Sequence, residues 1–215
     1  MPKVTEAYKQ EKRNMIVRST WEIFEKKPLY DISMLDVVKK AGLSKGGIYF
    51  YYSDTDELLI DMINEILSSV DELSFSVDMQ NDDVKSGLIS AFRQLGDYME
   101  ACPSIIGKIR LELSIYMTNY PQKMKTMLPQ IKLQQTGAQF MMLVTQLIQK
   151  GIEQKLFKND LELDVILMKI MLYVDGMSDY VTRMKVYDGP MLEYPVSTYF
   201  EHYIKNQINS LLYLR

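Results

Sequence analysis

A chain of 215 residues is long enough for one sizeable domain or two small ones, and its formal charge of −3 does not by itself point to a nucleic-acid partner. One cysteine, Cys102, excludes an internal disulfide and fits a reducing compartment. No apolar run approaches the roughly 18 residues of a membrane span, and the start MPKVTEAYKQEKR is too polar for a signal peptide, so a soluble, cytoplasmic protein with no membrane partner is expected.

The charge is unevenly placed. Residues 1–52 hold ten Lys/Arg against six Asp/Glu, net +4, which leaves 15 against 22, net −7, for residues 53–215. A basic head on an acidic body suits a nucleic-acid reader with a separate sensing part, although solvated helix faces account for most such charges.

The spacing predicts a first helix over Glu6 to Lys27, with Ile16, Thr20, Ile23 and Phe24 as the inner stripe and Trp21 beside it. Lys3, Lys9, Lys12 and Arg13 make its leading turn basic, as a DNA-tracking arm or as a solvated terminus. Pro28 stops it. Ser33 then caps a short helix with apolar positions Met34, Val37, Val38 and Ala41, and Gly42 ends it where a left-handed residue is needed. After Leu43, Ser44 caps a second helix of barely two turns. Gly46 and Gly47 lie inside it at a cost of about 1 kcal/mol each relative to alanine, which stability alone does not explain.

Four consecutive aromatics follow, Tyr49, Phe50, Tyr51 and Tyr52, and at about 100° per residue they cannot all face a core. Ile48 and Tyr52, four apart, suit the inner face; Lys45 and Tyr49, also four apart, line another. A lysine, bare glycine backbone at Gly46 and Gly47, and tyrosine hydroxyls form a surface able to approach a phosphate chain closely, as in a helix-turn-helix reader.

The stretch SMLDVVKKAGLSKGGIYFYYSDTDELL, Ser33 to Leu59, resembles the DNA-binding domain of the tetracycline-repressor (TetR) family of bacterial regulators. The match is close over roughly residues 10–65 and looser over the whole chain. It implies an all-α fold, with a three-helix helix-turn-helix DNA-binding head over 1–53 and a helical ligand-binding and dimerisation body over 54–215. Ser33, Ser44, Lys45, Gly46, Gly47, Tyr49, Phe50 and Tyr51 would then face DNA, with Ile48 and Tyr52 in the core. Four positions depart from the family pattern. Tyr51 stands for a usual histidine and keeps a hydrogen-bonding tip. Thr55 stands for a frequent lysine and weakens one expected phosphate contact. Val38 replaces a small residue, and Pro28 replaces a glycine.

Ser53-Asp54-Thr55-Asp56-Glu57 supplies two overlapping capping-box patterns for the next helix. That helix, 54–70, carries Leu58, Leu59, Met62, Ile63, Ile66, Leu67 and Val70 and would link head to body. Beyond the polar break Met79 to Asp83 come helices over Val84 to Cys102 and Ser104 to Asn119, then Lys123 to Lys155 with a kink at Pro129. Soft side chains at Met99, Tyr116, Met117, Met141, Met142 and Tyr173 suit the wall of a ligand cavity or plain core. Asp97, Glu100 and Glu112 share these helices, and Lys108 gives Glu112 an ordinary surface partner at i−4.

From Val165 to Val174 only Lys169 is polar, and Thr198 to Leu214, capped by Thr198 with Glu201, carries Phe200, Ile204, Ile208 and Leu211. Two such helices from each of two copies make a four-helix interface, as the family pairs them, and place Met168, Ile204, Ile208 and Leu211 in it. The alternative is that both helices complete a monomer core. His202 lacks further metal ligands on its face, Cys102 has no histidine partner, and no phosphate loop, nucleophile elbow or CxxC is present, so no enzyme, metal or cofactor is expected. The expectation is a homodimeric regulator, released from a pseudo-palindromic DNA operator by a small apolar or amphipathic effector. Its rival is a module of the same fold that binds a ligand or protein without reading an operator.

Overall fold

The structure is a computed structural model describing residues 5–78, 80, 83–133, 135–158, 160 and 162–212. Ten α-helices run through them: α1 Glu6–Phe24, α2 Met34–Ala41, α3 Lys45–Tyr49, α4 Thr55–Ser68, α5 Val84–Ala101, α6 Ser104–Asn119, α7 Pro121–Met127, α8 Thr136–Glu153, α9 Leu163–Val186 and α10 Val196–Leu211. The all-α expectation holds. Among the described residues the one strand-like feature is an isolated antiparallel bridge between Phe157 and Leu212.

Two compact units divide the chain. The first holds the chain to Val70 and Lys108–Leu133; the second holds Asp71–Gly107 and the chain from Gln134. α4 therefore lies wholly in the first unit, and the break falls inside α6.

In the first unit, α1 buries Ile16, Val17, Thr20 and Phe24. It ends at Phe24, three residues before the expected Lys27, because Pro28 bars the residue before it from helical backbone. α4 buries seven residues, Leu58, Leu59, Ile60, Met62, Ile63, Ile66 and Leu67, so it is apolar on more than one side. Asp54 caps it by accepting from the Glu57 amide at 2.9 Å, while the Glu57 carboxylate accepts from the Ser53 amide at 2.8 Å. Of the two overlapping patterns, Asp54 with Glu57 forms the cap, the Glu57 carboxylate reaching back one residue further to Ser53, while the Asp56 carboxylate accepts from Tyr116 and Lys123.

Lys108 and Glu112 depart from the surface pair expected of them. They are 5 % and 3 % exposed, with Nζ and Oε1 3.6 Å apart. Glu112 Oε2 accepts from the Leu29 amide at 3.1 Å, and Lys108 Nζ donates to the Lys27 carbonyl at 3.4 Å and lies 4.6 Å from the centre of the Phe24 ring. The pair thereby satisfies backbone groups released where α1 ends, which buried chain requires.

The single kinked helix expected over Lys123 to Lys155 is two helices. α7 ends at Met127, a 3-10 turn covers Leu128–Gln130, and α8 starts at Thr136. Pro129 lacks an amide hydrogen and disfavours helical backbone at Leu128. Asn64 on α4 takes the freed groups instead: its side-chain amide donates to the Gln130 carbonyl at 3.0 Å, and its Oδ1 accepts from the Lys132 amide at 2.8 Å.

The core of the second unit is aromatic at its centre. Phe92 meets Phe140 edge-on with ring centroids 4.9 Å apart, and Tyr173 stacks on Tyr203 at 3.8 Å. α5 and α10 cross at Gly96, where an added Cβ would fall 2.5 Å from the Ser197 Cα, so only glycine permits this approach. α10 starts at Val196 rather than Thr198, and its Val196 amide donates to the Glu100 carboxylate at 3.2 Å. Glu201, expected to complete a cap with Thr198, pairs instead with Arg93 and Lys205.

Candidate nucleic-acid interface

The helix-turn-helix is built by local chemistry. Ser33 Oγ accepts from the Asp36 amide at 3.3 Å, and Asp36 Oδ2 accepts in return from the Ser33 amide at 2.9 Å, a closed capping box. Lys27 Nζ donates to the same carboxylate at 2.9 Å. These donors, the Ser33 hydroxyl foremost, hold the Asp36 carboxyl down at about 2. Gly42 closes α2 at φ +64°, a left-handed conformation that glycine adopts without a Cβ clash.

Ser44 then caps α3, its Oγ accepting from the Gly47 amide at 3.1 Å. A Cβ on Gly47 would sit 3.2 Å from that Oγ, so the second glycine accommodates the cap. Gly46 is different: nothing lies within 4 Å of where its Cβ would be. Packing inside the protein gives no reason for this glycine.

α3 separates the aromatics as the spacing predicts. Ile48 and Tyr52 are fully buried, whereas Tyr49 is 44 % and Phe50 67 % exposed. Lys45 is exposed and its Nζ lies 5.8 Å from the centre of the Tyr49 ring. Tyr51 is half-buried, its ring edge-on to Phe50 at 5.1 Å between centroids. Thr55, half-buried, opens α4. The inner side is locked by Arg13, whose guanidinium donates to Asp61 and to the Tyr51 carbonyl and lies 4.6 Å from the Tyr52 ring centre. Tyr52 donates to the same Asp61 oxygen at 3.0 Å. Arg13 is therefore a brace between α1, α4 and the end of α3 rather than part of a DNA-tracking arm. Lys9 pairs with Glu6, and Lys3 lies outside the described residues.

All nine residues expected at DNA thus reach the surface of the first unit on or beside α2, α3 and the start of α4. Leu35 and Lys39, one turn apart on α2, are exposed as well. They lie off the Met34 and Val37 stripe.

The residues expected at a ligand fall in both units. Tyr116 and Met117 belong to the first unit, where the Tyr116 hydroxyl donates to Asp56 at 2.9 Å and Met117 is 48 % exposed. Met99, Met141 and Tyr173 are partly buried against the core of the second unit, whose Met142 is exposed. Of the residues expected at a dimer interface, Ile204, Ile208 and Leu211 are already buried within one chain, so they have no surface left to offer a partner. Met168 is 51 % exposed beside Val165 and Leu172 on α9. Among the described residues no cluster of His, Cys, Asp and Glu could hold a metal ion, and no helix is long and apolar enough to cross a membrane.

Residues 16–62, from within α1 to within α4, match the model of the family described as bacterial regulatory proteins, tetR family. Over that stretch the chain matches the tetR-family domain. It resembles YfiR, an uncharacterized HTH-type transcriptional regulator of Bacillus subtilis (strain 168), at 25 % identity over 158 residues, 73 % of each protein. Among solved structures it shares its fold with MexZ of Pseudomonas aeruginosa, described as a key repressor responsible for antibiotic resistance, at TM-score 0.58 and 17 % identity, covering 95 % of this chain and 100 % of that one. A TetR regulator from Haloarcula marismortui ATCC 43049 matches at TM-score 0.54 and 15 % identity over the same shares. These likenesses support a TetR-family transcriptional-regulator fold and DNA-binding regulation.

Proposed function

We propose that the protein is a homodimeric repressor that leaves a pseudo-palindromic operator when a small apolar or amphipathic molecule binds it. The observation that carries the operator reading is the outward strip of α3. Lys45, Gly46, Tyr49 and Phe50 face water while Ile48 and Tyr52, from the same run, are fully buried. Ser33, Ser44, Gly47, Tyr51 and Thr55 complete the surface toward the phosphate chain. That MexZ is a repressor supports the sign of regulation.

Dimerisation rests on α9, where Val165, Met168 and Leu172 repeat at helical spacing and stay 43–62 % exposed in one chain. Apolar side chains in such a row are stabilised by covering them with a second copy. The effector is proposed to enter the second unit near Met99, Met141 and Tyr173, where thioethers and rings can adjust around an apolar guest. It would favour a dimer arrangement whose two reading surfaces no longer match successive major grooves.

Binding of DNA flanking the protein's own gene, titrated with salt and with competitor DNA, tests the reading. Affinity that survives excess competitor supports it, and equal affinity for every duplex leaves only a module that no longer reads an operator.

A further inference from the structure

Resting on that operator reading, we propose that the Gly46 and Phe50 strip of α3 reads thymine 5-methyl groups, while the neighbouring Lys45 and Tyr49 strip engages phosphate. The Phe50 amide donates to the Gly46 carbonyl at 3.1 Å, so Phe50 continues the helix and the two residues share one face a turn apart. At the lower position the backbone is bare, with nothing within 4 Å of the missing Cβ. At the upper position stands a ring 67 % exposed and steadied edge-on by Tyr51. A bare backbone floor beside an apolar ring admits a small apolar group projecting from a flat edge.

Phe50 has no hydrogen-bonding atom on its side chain, so it can hold neither a phosphate nor a base acceptor or donor. In the major groove the apolar group on a base edge is the thymine methyl. The next strip has the opposite chemistry. Lys45 carries charge, Tyr49 a hydroxyl, and the two lie within cation–π distance of one another. The two strips therefore divide the work between specificity and affinity.

The test uses a duplex selected by the wild-type protein from a random-sequence pool, then resynthesised with deoxyuridine for thymidine, which removes the methyl groups alone. Wild-type affinity should fall about fourfold for each contacted methyl removed. Phe50→Ala should bind the thymine duplex more weakly and show no further loss on the uracil duplex, with thermal unfolding confirming an intact fold. Lys45→Ala should keep the full methyl sensitivity while the slope of log affinity against log salt drops by about one. Selected half-sites lacking T·A pairs, a wild type indifferent to uracil, or a Phe50→Ala variant as methyl-sensitive as wild type would each overturn the proposal while leaving operator reading intact. Failure to select any sequence would overturn both.

Discussion

Gly46 and Asp36 show how single residues divide between fold and function. Because open space surrounds the missing Cβ of Gly46, Gly46→Ala meets no clash and should stabilise the protein by up to about 1 kcal/mol. The same methyl would stand on the surface proposed to approach DNA, so operator affinity should fall as thermal stability rises. A variant that gained stability at unchanged affinity would show that this backbone touches nothing. Asp36 acts on the fold alone. Its carboxyl is depressed in the native state to about 2 by Ser33 and Lys27, against about 3.9 when unfolded. The stabilisation is therefore fully present above about pH 4 and is lost as the pH falls toward 2. Urea titrations across that range should show a steeper acid loss for wild type than for Asp36→Asn, which lacks the titrating group.

At the scale of elements, the end of α1 depends on a buried ion pair contributed by α6. Removing one partner of such a pair strands the other charge, so Lys108→Met should cost about 3 kcal/mol in chemical unfolding. Lys108→Met with Glu112→Gln should recover much of that loss, since glutamine still offers an oxygen to the Leu29 amide 3.1 Å away and strands no charge. A double variant no more stable than the single one would show that the charges themselves are required. α3 has its own support in Ile48, fully buried. Ile48→Asp buries an unpartnered carboxylate and should unfold the first unit, whereas Tyr49→Ala, altering an exposed ring, should leave melting unchanged and weaken operator binding.

For the molecule as a whole, assembly separates two substitutions that look alike in sequence. Met168→Glu places a charge on the exposed α9 row and should give a folded monomer by sedimentation that has lost operator affinity. Ile208→Glu strikes a side chain 4 % exposed inside the chain's own core and should lower stability before it affects association. A wild-type monomer at micromolar concentration would sink the dimer proposal and, with it, paired half-sites about 34 Å apart.

The sequence by itself determined what depends on neighbours within a few residues. The Ser33 and Ser44 caps, the left-handed Gly42, the burial of Ile48 and Tyr52, and the outward turn of Tyr49 and Phe50 all follow from a helical period and local hydrogen bonds. Only the tertiary structure decided the rest. Arg13 was as good a phosphate ligand as Lys12 until Asp61, 48 positions away, claimed it. Lys108 and Glu112 had the spacing of a solvated pair, and their burial came from α1 ending against them. α10 had the broad apolar stripe of an interface helix, yet Phe200, Ile204, Ile208 and Leu211 fill the second unit's own core. Periodicity shows which face of a helix must be covered; what covers it is set by long-range packing, which no local pattern records.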